Sequence, residues 1–289
     1  MSFSSSFSVQ PVAISSSSRP IQIRVVTRHN FRVEFSAINY LINATRYNNV
    51  SFDTEYPGQL FHSDPKQSLH PAAAYELMKV NVDELKLIQV GLVVSDAEGN
   101  LPHFNTNFVY VWEFLLSDFD VDDDEGDNDS IMLLMRQGVD FEFNLQEGIS
   151  RRDFVTMLMW SGLVGRGNST RVTWITFNGA YDLGYMIKVL TNAYLPDNLE
   201  SFMALVTGYF GNNVFDVKHM ATRLCQSITG GLDRIASKLG VARVDGPRRR
   251  TVSNAWVTLQ LFNRIKTKRG QNGYAVYTLL EGQIHTLSN

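Results

Sequence analysis

The chain of 289 residues carries a formal net charge of −3, is 44% hydrophobic and 19% charged, and so excludes a broad electrostatic nucleic-acid binder while leaving room for a local basic patch. Its single cysteine, Cys225, excludes an intrachain disulfide, and no uninterrupted apolar run is long enough to span a bilayer. The length permits one large domain or two small ones.

Residues 1–20, MSFSSSFSVQPVAISSSSRP, are rich in serine and hold no acid. They lack the apolar volume of a core and read as a disordered tail; an organellar transit peptide has the same composition and stays open. Phe35, Ile38, Leu41 and Ile42 recur at helical spacing and predict a helix ending before Asn48. VSFDTEY follows as a strand, stopped by Pro57 and Gly58. LKLIQVGLVVSD is an apolar, β-branched run of strand type, AEGN a turn, and the alternation of Phe104, Phe108, Tyr110 and Trp112 a returning strand. These strands make a meander, with a helix and a loop inserted after the first. DFDVDDDEGDNDS has the acids of a calcium loop without its spacing, because counting from Asp120 puts Glu125 at the glycine position and Ile131 at the final glutamate. It reads as a solvated acidic loop, with Asp129 or Ser130 capping the helix IMLLMRQ.

RRDFVTMLMWSGLV is an amphipathic helix, RVTWITF a buried strand, and AYDLGYMIKVLTN the helix that follows the Asn178-Gly179 turn. NVFDVKHMATRLC passes from a short strand into a helix that buries Cys225. Leu232, Ile235, Ala236 and Leu239 share one face of a short helix bracketed by glycines. SNAWVTLQLFNRIKTKR closes the ordered part on a stripe of Ala255, Leu259, Phe262 and Ile265, with a basic end that suits the helix dipole. The expected architecture is α/β: one mixed sheet flanked by helices in a single domain over residues 21–270, with 271–289 as a C-terminal tail.

The stretch SFDTEYPG ends its strand with Asp53 and Glu55, whose i, i+2 spacing aims both carboxylates at one face. Like charges at one spot expect something positive between them. Asp182 lies in the first turn of a helix that directly follows a strand. Carboxylates from strand ends and helix starts are how hard divalent cations are held, and two such ions about 4 Å apart clamp the attacking and leaving oxygens of a phosphodiester displacement. Taken alone, Asp-x-Glu reads first as a strand-end pair facing solvent. Arg248, Arg249 and Arg250 read either as a solvated loop or as bidentate ligands for phosphate.

FDTEYPG, NVDELKLIQVGL, NDSIMLLMRQGVDF, EGISRRDFVTMLMWSGLV, WITFNGAYDLGYMIKVLT, VFDVKHM and GGLDRIASKLG occur in that order. Together, from about Ile21 to about Arg264, they resemble the poly(A)-specific deadenylases known as carbon-catabolite-repressor-associated factor, or Pop-type, proteins. The resemblance implies a ribonuclease-H-like fold and a 3′-to-5′ exoribonuclease that removes mRNA poly(A) tails and releases AMP. It implies four acids holding two divalent ions, Mg²⁺ or Mn²⁺, with a histidine near the last acid. It also implies a Not scaffold subunit and a partner deadenylase as neighbours in a decay complex. The setting it implies is the nucleus and cytoplasm, with a part in transcription regulation and no membrane.

By position, Asp53 and Glu55 match the first two catalytic, metal-binding acids and Asp182 the third. The last motif departs. In GPRRRTVSNAWVT, Gly246, Pro247 and Thr258 fall in register, yet Arg249 stands at the histidine general base and Asn254 at the fourth acid; Asn178 also replaces a usual histidine. Asparagine offers an oxygen without charge, and arginine accepts no proton. At most one ion is therefore expected to be held well, and activity is expected to be impaired. The alternative is a catalytically dead member that binds scaffold or RNA as a competitor or adaptor. Arg248, Arg249 and Arg250 are expected beside the cleft as RNA-backbone contacts, and Asn254 also suits a helix N-cap.

Overall fold

Six strands form one mixed sheet in the computed structural model, which describes residues 19–64, 68–165, 172–225, 228–243, 250–267 and 276–288, without the side chain of Arg250. β1 (Ile21–Val26), β2 (Asn49–Glu55), β3 (Gln89–Ser95), β4 (Val109–Leu115), β5 (Thr173–Thr176) and β6 (Val214–Asp216) lie in the order β1-β4-β3-β2-β5-β6. β2, β3 and β4 pair antiparallel, which is the expected meander. The meander is not where the sheet begins, however: β1 precedes it and pairs parallel with β4, Ile21 opposite Val109. β5 pairs parallel with β2 and β6 parallel with β5.

The helices are α1 (Phe31–Ala44), α2 (Pro71–Glu84), α3 (Asn128–Arg136), α4 (Phe141–Glu147), α5 (Arg151–Trp160), α6 (Ala180–Thr191), α7 (Leu199–Phe210), α8 (Val217–Leu224), α9 (Leu232–Leu239) and α10 (Arg250–Lys266). Strand alternation divides most of them into two layers, while α3 and α4 pack apart, with Ile88 and Phe119. Phe52, Leu92, Trp112 and Trp174 pack with Phe35 of α1, Met78 of α2, Phe154 of α5, Leu183 of α6 and Phe202 of α7. Val93, Val111, Ile175 and Phe215 face the other way, onto Met220 of α8, Ile235 of α9, and Ala255, Leu259 and Phe262 of α10. Each such large side chain, once buried, contributes roughly 1.5–3 kcal/mol before chain entropy is charged against it.

Two local expectations shift. α3 is capped by Asp127 rather than by Asp129 or Ser130, because the helix starts at Asn128; Asp127 Oδ2 accepts from Ser130 N at 3.0 Å. α10 starts at Arg250, so Asn254 sits a turn inside the helix and is not its N-cap. Within the stretch expected to be a C-terminal tail, Val276–Leu280 forms a short 3-10 helix, and Leu280, Ile284 and Leu287 are buried. Gly282 N donates to Val214 O at 2.8 Å, so this segment lies along the β6 edge of the sheet. No helix among the described residues is long and apolar enough to cross a membrane.

Candidate active site

The site grows from the end of β2, where Asp53, Thr54 and Glu55 alternate across the sheet. Gly91 of β3 is the ladder partner of Asp53. A Cβ there would lie 2.6 Å from the backbone of Thr251 and Val252, so only glycine lets the first turn of α10 rest directly on β3. That contact carries Thr251 and Asn254, neighbours on one helix face at i, i+3, over the strand end. Thr251 Oγ1 donates to Glu55 Oε1 at 3.2 Å, and Asn254 Nδ2 donates to Asp53 Oδ2 at 3.0 Å.

The Asn254 carboxamide is held from its other side as well. Arg243 Nη2 donates to Asn254 Oδ1 at 2.9 Å, and the same guanidinium is ion-paired with Asp233 of α9. A guanidinium only donates and a carboxylate only accepts, so Oδ1 must face Arg243 and the amide hydrogens must face Asp53.

Asp182 arrives from the other layer, in the first turn of α6. The turn before it runs through Asn178 at φ 58°, a left-handed position that asparagine tolerates better than most residues. Asp182 Oδ1 accepts from Thr54 N at 2.8 Å and from Thr54 Oγ1 at 2.6 Å. Burial pushes the Asp182 carboxyl up to about 6 even though both Thr54 bonds pull it down; nearby Asp216 adds to the rise. Tyr56 continues the strand into an aromatic stack, 4.6 Å from Tyr185 and 5.6 Å from Tyr181 between ring centroids. Burial first, then the Asp182 charge, holds its phenol well above the ordinary tyrosine range.

The structure thus joins Asp53, Glu55 and Asn254 under α10 and ties Asp182 to the intervening Thr54. Asn178 accepts from Lys218 Nζ at 3.3 Å through Oδ1. Arg248 and Arg249 lie outside the described residues, as does the side chain of Arg250. Among the described residues no three His, Cys, Asp or Glu side chains are grouped to hold a metal ion. At the fourth corner, N–H hydrogens point at Asp53, where a cation would need a lone pair. The donor set does not fit a two-cation centre.

Four residues that shape this site escape the sequence reading. Gly91 carried a signal, a glycine inside a strand pattern. Asp216 carried one too, an acid at a strand-to-helix junction. Thr251 and Arg243 carried none, since each acts through a tertiary contact. Beside Glu55, Gln89 and Thr251 opens a cavity of about 1100 Å³ lined by Glu113, Asp120, Asp122, Asp140 and Glu142, with no Lys, Arg or His among its described lining residues.

Comparison with known proteins adds the lineage. The family model described as CAF1 family ribonuclease matches residues 26–153 and 152–252. CCR4-associated factor 1 homolog 10 of Arabidopsis thaliana is 36% identical over 258 residues, 89% of this chain and 90% of that protein. Poly(A) ribonuclease pop2 of Schizosaccharomyces pombe is 35% identical over 265 residues, 91% of this chain and 75% of the relative. The solved S. pombe Pop2p in its Mg²⁺- and Mn²⁺-bound form superposes with a TM-score of 0.79 at 34% identity, covering 92% of this chain and 99% of that one. Yeast CAF1, co-crystallised with the NOT1 MIF4G domain, gives 0.74 at 30% identity over 91% of this chain and 96% of its own.

Proposed function

Since the chain belongs to the CAF1 family of ribonucleases, we propose that it is a poly(A)-directed 3′-to-5′ exoribonuclease subunit of reduced activity, docked on a Not-type scaffold beside a partner deadenylase. The name of the fission yeast relative supports the poly(A) substrate, and the NOT1 co-crystal of the yeast homologue supports the scaffold. The single observation that carries the reduced activity is the Asn254–Asp53 hydrogen bond.

The chemistry follows from charge. Displacement at a phosphodiester places negative charge on the attacking and leaving oxygens, and rate depends on neutralising it with groups fixed in advance. Family members use divalent cations, as the metal-bound Pop2p illustrates. Here Asp53, Glu55 and Asp182 are left to hold at most one Mg²⁺ or Mn²⁺ well. Arg249 cannot accept the proton of an attacking water, and a positioned general base is typically worth about 10² to 10⁴ in rate. Arg248, Arg249 and Arg250 contact the RNA backbone in this reading. The site of action is the nucleus and cytoplasm, and control of transcription follows from the decay complex.

A second reading, a dead member acting as adaptor or competitor, has its own observation: the Arg243–Asn254–Asp53 chain is satisfied without any ion. Tail shortening separates the two. Purified chain is incubated with 5′-labelled RNA bearing a poly(A) tail, in Mg²⁺ and in Mn²⁺. A slow ladder that vanishes in Asp53→Ala supports the weakened enzyme. No ladder from the natural chain, with one appearing in Asn254→Asp/Arg249→His, supports the adaptor. A double variant that stays inactive removes these two residues as the cause.

A further inference from the structure

We propose that single-stranded RNA reaches the acids at the end of β2 through a groove walled by α8, the chain after β2 and the C-terminal segment, with Arg223 as a phosphate contact and Tyr181 as a base platform. This rests on the RNA substrate of the preceding section and specifies its path.

The first support is electrostatic. One cavity that reaches Glu55 also presents Glu113, Asp120, Asp122, Asp140 and Glu142 and would repel a phosphate backbone. Another, a groove of about 590 Å³, has Arg223, His219 and His285 on its walls, and none of its described lining residues is acidic. Ser63, Ser68 and Thr222 add hydroxyl donors of the kind that orient a backbone without reading sequence.

The second support is position. Tyr181 lines the groove, is only partly buried, and immediately precedes Asp182. Its ring is stacked on Tyr56, at an interplanar angle of 15°, and Tyr56 immediately follows Glu55. A base laid on Tyr181 therefore extends an existing stack that ends at the acids. The fixed charge of the groove is the Arg223 cation, since burial and then Lys218 push the His285 imidazole toward its neutral form; a cationic contact beside an aromatic platform suits a single strand bound without strict sequence readout.

The third support is rigidity. Asp216 is fully buried, and its carboxylate accepts backbone N–H bonds from Asn178 at 3.0 Å, Gly179 at 3.0 Å, Lys218 at 2.9 Å, His219 at 3.2 Å and His285 at 3.0 Å. One side chain thereby fixes the turn that bears Asp182, the start of α8 and the C-terminal wall relative to one another. His219 Nε2 meets Gln283 Oε1 at 3.0 Å across the same joint. The groove is set before any ligand enters.

The test is fluorescence anisotropy with labelled oligo(A), short and long, on the full chain in EDTA so that no cleavage occurs. Arg223 is exposed, so Arg223→Glu leaves the fold intact. It is expected to weaken long oligo(A) by about tenfold and to flatten the salt dependence by about 0.7 in log-log slope, with little effect on AMP. Tyr181→Ala is expected to weaken long oligo(A) by about tenfold, and Glu142→Gln in the acidic cavity to change nothing. If the natural chain binds oligo(A) while Arg223→Glu and Tyr181→Ala bind as tightly with the same salt slope, the path is wrong and the RNA substrate stands. If the folded natural chain binds no oligo(A) in EDTA or in Mg²⁺, the substrate itself is wrong, and the path falls with it.

Discussion

Asn254 differs from an aspartate by the replacement of one oxygen with an amino group, yet that change reverses the polarity of a corner. An aspartate would bring a second anion within hydrogen-bonding distance of Asp53 and would need a cation between them. The carboxamide supplies its own positive edge, and Arg243 locks it in place. The expected signature is thermal. The natural chain, with three acids for at most one ion, should gain less in melting temperature from Mn²⁺ over EDTA than Asn254→Asp does. Asn254→Asp should melt lower in EDTA, because two carboxylates then face each other, and recover in Mn²⁺. Binding at about 100 times Kd adds about 2.7 kcal/mol, which for a domain of this size is several degrees. Equal Mn²⁺ responses in the two proteins would contradict the polarity argument.

Among elements, α10 decides whether a site exists at all, and it does so through a residue with no side chain. Gly91→Ala places a carbon 2.6 Å from the helix backbone, so α10 must lift. The expected cost is about 1–3 kcal/mol, read as a lower urea midpoint with unchanged m, together with loss of the Thr251–Glu55 and Asn254–Asp53 bonds. An unchanged midpoint would mean that the helix has slack the geometry does not show. Such contacts explain what sequence could and could not announce. LKLIQVGLVVSD is apolar on both faces and seven residues of it form a fully buried strand, so composition alone located β3. The period of two put Asp53 and Glu55 on one face before any fold was known. β1 is only six residues long, too short for its alternation of Ile21, Ile23 and Val25 with Gln22 and Arg24 to stand out beside the tail, and α4 is under two turns. α7 buries Phe202, Val206 and Phe210 at helical spacing, but partly buried Met203 and Leu205 blur the stripe. A strand-to-helix junction pointed to Asp182 and resemblance to Asn254; Arg243 became visible only through its contact with Asn254.

For the molecule as a whole, the sheet has one edge at β6, and the segment 276–288 covers it. Leu280, Ile284 and Leu287 are buried there, and Gly282 N donates to Val214 O. Removing residues 276–288 gives up burial on the order of 5 kcal/mol, comparable to the net stability of many domains, and opens a strand edge to other chains. The truncated chain is expected to unfold at a clearly lower urea concentration and to associate as its concentration rises in light scattering; equal midpoints would show that the segment merely rests on the surface. The carboxylate of Asp216 has a further consequence, in time rather than space. Its hydrogen bond to the backbone of His285 cannot form while that residue is still inside the ribosome. During translation the wall beside Tyr181 therefore closes only after residue 285 has emerged, well after its acids are made. Limited proteolysis of stalled nascent chains should find the α8 flank protected only once residue 285 has emerged.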